Sequence, residues 1–165
     1  SVIYSELKAS YGTTDERRDM IEYKKVDANN NVIAKYYDTF DATTAKVGFD
    51  LPLLRWADVL LMCAEAHNEV AYDGTEDSKA MSSLNLVRGR AKAVTYTSTE
   101  LSDQNSFRKA VLEERRLEFP FELHRWFDLI RTDTAIDAMA KVGFTITKDD
   151  YLYPLPNRPL SDNVS

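Results

Sequence analysis

FRKAVLEERRLEFPFELHRWFDLIR, residues Phe107 to Arg131, is the stretch on which the reading of this chain turns. Wound into a helix, Phe107, Ala110, Val111, Glu114, Leu117, Glu118 and Phe121 share one face. Most of these residues are apolar, so the face is the core side, and two carboxylates stand in the middle of it. A lone buried charge costs several kcal/mol, which means that each carboxylate needs a cation. Arg115 and Arg116 flank the pair, and Arg55, Arg88, Arg90 and Arg125 stand on other predicted helices. The stretch therefore reads as a hub at which charged side chains tie helices together. Pro120 lacks an N–H and predicts a kink or an end near it. A shorter helix, His124–Arg131, follows with Trp126, Leu129 and Ile130 inward.

Working back from the hub, Pro52 opens a helix predicted over Leu53–Val70, so apolar around its circumference that burial on more than one side is expected. Asp73-Gly74-Thr75 ends it. Ala80, Leu84, Val87 and Ala91 mark a second helix from Glu76 to Lys92, and the short connection predicts an antiparallel pair. Ser102 and Asp103 are cap candidates for the hub helix. Nearer the start, Ser1–Tyr11 has weak helical character, broken by Gly12-Thr13-Thr14-Asp15. Met20–Val26 and Val32–Thr39 are β-prone runs joined by Asp27-Ala28-Asn29-Asn30-Asn31, which predicts a hairpin. Asp27, Asn29 and Asn31 imitate a calcium loop, but Val32 stands where that loop needs Gly and Asp38 where it needs Glu, so a plain turn is expected. Beyond the hub, a helix over Thr134–Lys141 stops before Gly143. The proline-rich tail from Tyr151 is expected to lie extended. No clean repeat of tetratricopeptide length runs through the chain.

The composition sets outer bounds. The chain has 165 residues, 44% apolar and 29% charged, which fits one globular domain rather than a disordered or fibrous protein. Its net charge of −6, with no concentrated basic stripe, argues against nucleic acid and against anionic membrane surfaces as partners. Cys63 is the single cysteine and reads as a small hydrophobe on the first strong helix. No run of apolar residues is long enough to span a bilayer, and the chain begins Ser1-Val2 without an initiator Met or signal peptide. A piece of a longer protein is expected, with any targeting or lipid-attachment segment outside it.

No catalytic constellation stands out. Glu113, Glu114 and Glu118 could be imagined as an acid/base set for glycoside hydrolysis, which needs two carboxylates flanking one bond. Glu114 and Glu118, however, are one turn apart on a core-facing helix, and an ion network is the simpler reading. His67 lacks the second His that a zinc helix carries, so no metal and no cofactor is expected. His124 and Asp128 are i, i+4 neighbours without a nucleophile beside them. Gly89 stands alone between Arg88 and Arg90, so no phosphate loop is present. The aromatic residues divide into two groups. Trp56 and Trp126 lie inside amphipathic patterns and are expected in the core. Tyr36 or Tyr37, Tyr72 and Tyr96 lie in the hairpin and loops, where a ring face and hydroxyl could meet a sugar.

Four segments in order, LPLLRWADVLLMCAEAHNE (51–69), SLNLVRGRAKA (83–93), FRKAVLEERRLEFPFELHRWFDLIR (107–131) and YLYPLPNRPLSDN (151–163), resemble the C-terminal part of the SusD/RagB family. The positions that carry the resemblance are Arg55, Ala57, Glu65, Arg88, Arg90, Glu114, Arg115, Arg116, Glu118, His124, Arg125, Trp126, Asp128, Pro154 and Pro156, all read as scaffold. Departures are Pro120 in place of a small helix-compatible residue, Leu123 where Gly is usual before the His, and Pro159 where Glu is usual.

The resemblance implies an all-α fold of tetratricopeptide-like helix pairs, to which the reading of the residues adds the N-terminal β-hairpin and the extended tail. Residues 1–50 are expected to be irregular with the hairpin, 51–142 helical and 143–165 extended. It further implies a surface-exposed, lipid-anchored outer-membrane protein without catalytic activity, which binds polysaccharide or oligosaccharide and hands it to a SusC-like TonB-dependent transporter. Most sugar-contacting residues would precede Ser1. The competing expectation is a tetratricopeptide-like scaffold that binds a protein and no sugar.

Overall fold

A computed structural model of the chain describes residues 2–25, 31–36 and 52–154, and the fold is mainly α-helical. It divides into two compact units, Ser1–Arg125 and Trp126–Ser165, taken in turn below.

The first unit opens with α1 (Val2–Ala9) and the single turn α2 (Arg17–Met20). Strands β1 (Tyr23–Lys25) and β2 (Asn31–Ile33) pair antiparallel, with Lys24 opposite Val32. Both are shorter than the β-prone runs suggest, because Met20 closes α2 and Ala34–Tyr36 winds into a 3-10 turn. The acidic and amide residues Asp27 and Asn29, together with Tyr37 and Pro156, lie outside the described residues.

Helices α3 (Trp56–Ala71) and α4 (Lys79–Arg90) pack as a pair, and α5 (Gln104–Glu118) packs on α3. Each start has a local cause. The backbone of Arg55 is extended, so α3 begins at Trp56 rather than at Leu53. The hydroxyl of Ser78 accepts from Met81 N, which sets the start of α4 past the expected Glu76. Asp103 accepts from the amides of Asn105 and Ser106, and Asp103 N donates in turn to the Ser106 hydroxyl, a capping box that fixes α5. Leu61, Met81, Leu84, Val87, Phe107 and Val111 form the centre of the core between the three helices. Tyr11, Ile21 and Leu117 form a second, smaller cluster.

Three expectations are corrected here. Trp56 is 71% exposed, not a core residue. Helix α3 is covered on one face only among the described residues, since Trp56, Val59, Met62 and Val70 are exposed while Ala57, Leu61, Ala64 and Asn68 are buried. The reason is geometric: α4 and α5 reach only the Ala57–Leu61–Ala64–Asn68 stripe of a helix that is apolar nearly all round. Phe121 does not continue the core face of α5, because the helix ends at Glu118 ahead of Pro120 and Phe121 turns to φ +66° with its side chain outward.

The second unit holds most of α6 (His124–Arg131), then α7 (Ala135–Lys141) and a 3-10 turn at Lys148–Tyr151 inside the stretch expected to be extended. Trp126 is half-buried, its ring edge-on to Tyr151 at 6.1 Å. Asp128 and Leu129 are buried, and Asp128 accepts from Arg131 at 2.9 Å. No helix among the described residues is long and apolar enough to cross a membrane.

Candidate functional site

The densest chemistry in the first unit lies where α5 ends. Glu114 is completely buried and Glu118 nearly so. Glu114 Oε1 accepts from Arg17 Nη1 at 2.5 Å and Oε2 from Arg88 Nη1 at 2.6 Å. Glu118 accepts from Arg17 at 2.9 Å, from Arg55 at 2.8 Å, and from Arg90 through both oxygens at 2.8 and 2.7 Å. Each carboxylate thus meets cations from separate elements, and charges that would be costly alone are paired and hydrogen-bonded.

Arg17 is the pivot. Its Nε and Nη2 grip Asp15 at 2.9 and 2.7 Å while Nη1 reaches both glutamates. Burial alone would weaken its charged form, but the bonds from Asp15 and Glu114 outweigh that, and the guanidinium is held more firmly protonated than an exposed one. Its neighbour Tyr11 donates to the carbonyl of Leu117 at 2.8 Å, and burial pushes the phenol well above its usual range. The segment around Asp15 is therefore fastened to α5 by side chains nearly a hundred positions away, and Glu16 N adds a bond to the carbonyl of Ala91 at 2.9 Å.

A second layer secures the turn after α5. Arg55 holds Glu122 through Nε and Nη2 at 2.9 Å each, and Lys35 pairs with the same carboxylate. Burial pushes Glu122 up, but the bonds from Arg55 and Lys35 overcome it, and the carboxyl sits below the usual range. The guanidinium groups of Arg55 and Arg115 lie 4.8 and 5.3 Å from the centre of the Phe119 ring, and the His124 ring packs on it at 4.6 Å. Arg115 itself points to Asp58, 2.7 Å away, a buried bond between α5 and α3.

The structure brings together five positions singled out in the sequence: Arg55, Arg88, Arg90, Glu114 and Glu118. It sends others elsewhere. Arg116 pairs with Glu113 on its own helix, where the Arg116 bond offsets burial and keeps the Glu113 carboxyl low. Arg125 and Glu65 are half-buried. Sequence reasoning missed Arg17, Asp15, Asp58, Lys35 and Glu122. Asp15 and Arg17 lie in the run Asp-Glu-Arg-Arg, which looks like a solvated turn, and only the i, i+2 acid–base spacing hinted that Arg17 could be oriented.

Chemically, the hub has little to offer a substrate. A cavity of about 210 Å³ adjoins it, lined by Arg17, Lys35, Arg55, Arg90 and Glu118, yet Glu118 is bonded to three arginines. Both glutamates of the hub are committed to arginines of the fold. Among the described residues, no group of His, Cys, Asp and Glu could hold a metal ion.

Tyr36, Tyr72 and Tyr96, the described tyrosines among the sugar-contact candidates, are also engaged. Tyr36 donates to the carbonyl of Phe121 at 2.8 Å. Tyr72 donates to the carbonyl of Leu101 and packs on Phe107. The Tyr96 ring lies 4.1 Å under Arg88, and its backbone exchanges two bonds with the Asn85 side chain.

Comparison with known proteins agrees with the motif reading. A family model described as the SusD family matches residues 27–151. SusD-like protein P38 of Formosa agariphila is 30% identical over 97% of this chain and 29% of its own length. SusD-like protein P2 of the same organism is 31% identical over 86% of this chain and 30% of its own. SusD-like protein P25 is 42% identical over 56% of this chain. The chain thus spans less than a third of the length of these relatives. No solved structure gives a significant match.

Proposed function

The chain belongs to the SusD family, and from that premise we propose that it is the helical C-terminal scaffold of a cell-surface protein that binds glycans without hydrolysing them. The observation that carries this reading is the saturation of Glu114 and Glu118 by Arg17, Arg55, Arg88 and Arg90. The acidic residues of the most prominent motif hold helices together, which is what a binding scaffold requires and what a hydrolase, needing a free acid and base across a cleft, cannot use. In this reading the helix pairs are tetratricopeptide-like and residues 1–50, with their hairpin, lead into them. The whole protein sits lipid-anchored in the outer membrane. It passes oligosaccharide to a SusC-like TonB-dependent transporter.

The sugar contacts belong mainly to the part of the protein that precedes this stretch. Tyr36, Tyr72 and Tyr96 support that placement, since their hydroxyls or ring faces are already used inside the fold. Calorimetric titration of the full-length protein with polysaccharides of different linkage tests the proposal. Saturable binding without release of reducing ends is expected. Turnover that disappears in Glu114→Gln would overturn the non-catalytic reading, and tight transporter binding with no response to any glycan would favour a purely protein-binding scaffold.

A further inference from the structure

Within the first unit, two parts meet at the end of α5. Helices α1 and α2 and the hairpin hold one another: Lys8 pairs with Glu22, β1 pairs with β2, and Ala34 N donates to the Glu22 carbonyl at 2.7 Å, which ties in the 3-10 turn Ala34–Tyr36. Helices α3, α4 and α5 have their own core around Leu61, Met81, Leu84, Phe107 and Val111. Polar groups make most of the seam between the two. Arg17 reaches Glu114 and Glu118, the Tyr11 hydroxyl and Glu16 N donate to the carbonyls of Leu117 and Ala91, and Lys35 donates to those of Glu118 and Pro120 at 3.0 and 3.2 Å. The links from Lys92 to Glu16 and from Arg116 to Ser10 are exposed. In the small buried cluster with Tyr11 and Ile21, the helices contribute Leu117.

The charges divide cleanly along this seam. Arg17 brings its own counter-ion, Asp15, while the helices and the turn after α5 keep three arginines, Arg55, Arg88 and Arg90, for three glutamates, Glu114, Glu118 and Glu122. Breaking a buried ion pair is costly when it strands a charge. Parting here strands none, because each set is neutral by itself and Lys35 passes into water as an ordinary surface lysine. The packing agrees with this division. The cavity of about 210 Å³ lies in the seam, between Tyr11, Met20 and Ile21 on one side and Arg90, Leu117 and Pro120 on the other. A gap there forfeits dispersion contacts that a permanent core makes.

The seam also reaches a strained turn. Phe121 and Leu123 adopt left-handed conformations, φ +66° and +64°, which persist in residues with side chains only where the surroundings impose them. Two of the groups that impose them, Lys35 and Tyr36, come from the hairpin side, with the Tyr36 hydroxyl donating to the Phe121 carbonyl at 2.8 Å.

We propose that α1, α2 and the hairpin form a strap that docks on the end of α5 and leaves it as one body while the α3–α5 core stays folded. Docking sets the strained turn, and undocking frees it, so the segment around Arg17 and the turn at Phe121–Leu123 are coupled through the seam. Such sub-global openings follow supersecondary units with few buried apolar contacts to the rest of the fold.

Native-state hydrogen exchange of the wild-type full-length protein, read by mass spectrometry with residue-level fragmentation, tests this as urea is raised below the unfolding transition. The hydrogen-bonded amides of Asp15, Arg18, Ala34 and Glu122 are expected to exchange through one common opening, at least ~10-fold faster than those of Leu84 and Val111. Arg17→Lys keeps the charge but loses the fork that grips Asp15 and both glutamates. It should speed exchange at Ala34 and Glu122, neither bonded to residue 17, by the same factor as at Asp15. Exchange of the four amides as slow as that of Leu84 and Val111 would overturn the proposal, since the strap would then open only with the whole fold. So would an effect of Arg17→Lys confined to the residues around Asp15, which would be local fraying.

Discussion

Helices α5 and α3 invert the usual expectation. The charged helix is the buried one: α5 carries Glu113, Glu114, Arg115, Arg116 and Glu118 in its last turns, yet Glu114, Arg115 and Glu118 are buried along with Phe107, Ala110, Val111 and Leu117. The apolar helix is the exposed one, since α3 turns Trp56, Val59, Met62 and Val70 outward. Side-chain polarity alone does not decide burial. A charge is buried when partners converge on it from several elements, and an apolar face stays open when no described element reaches it.

Removing a hub carboxylate tests this contrast most severely. Glu114→Ala leaves Arg88 short of its partner and Arg17 short of one of its three, and should lower stability by about 3–5 kcal/mol in urea denaturation. A loss below about 1 kcal/mol would mean that the hub is no more than a solvated cluster. On α3 the comparable test is Leu61→Ala, expected to cost about 3 kcal/mol because Leu61 is fully enclosed by the core. Arg17→Ala should cost about 3 kcal/mol, because Arg88, Arg55 and Arg90 still neutralise the glutamates but the buried Asp15 loses its guanidinium. A double-mutant cycle with Glu114→Ala should show a coupling of about 1 kcal/mol or more, and additive losses would contradict the direct bond.

Leu123→Gly should act in the opposite direction. It relieves a left-handed leucine, and a gain approaching 1 kcal/mol is expected in thermal unfolding, reduced by the extra freedom of Gly in the unfolded chain. The smallest effect is on acid stability. Glu122 titrates lower when folded than when unfolded, so its contribution is complete above the unfolded pKa of about 4.3 and is lost as pH falls through the folded value. Glu122→Gln should flatten the stability profile below about pH 4.3, and an unchanged acid limb would show that Arg55 and Lys35 do not hold that carboxylate.

The sequence by itself determined the longer helices, the end of α5 near Pro120 and the core stripe of the hub from Phe107 to Glu118, because periodicity, caps and proline act over a few neighbouring residues. It also required cations for Glu114 and Glu118, since the apolar stripe made unpaired carboxylates untenable. The ordered motifs, in turn, identified the family. Only the tertiary structure decided which cations answered. Arg17, in a turn that reads as solvated, reaches both glutamates across about a hundred positions, while Arg115 and Arg116, adjacent in sequence, turn to Asp58 and Glu113. Neighbours on a helix point to different sides, so adjacency to a buried acid says little about pairing with it. Trp56 was settled the same way. Its pattern showed that an apolar face existed, and the placement of α4 and α5 decided that this one would be left open.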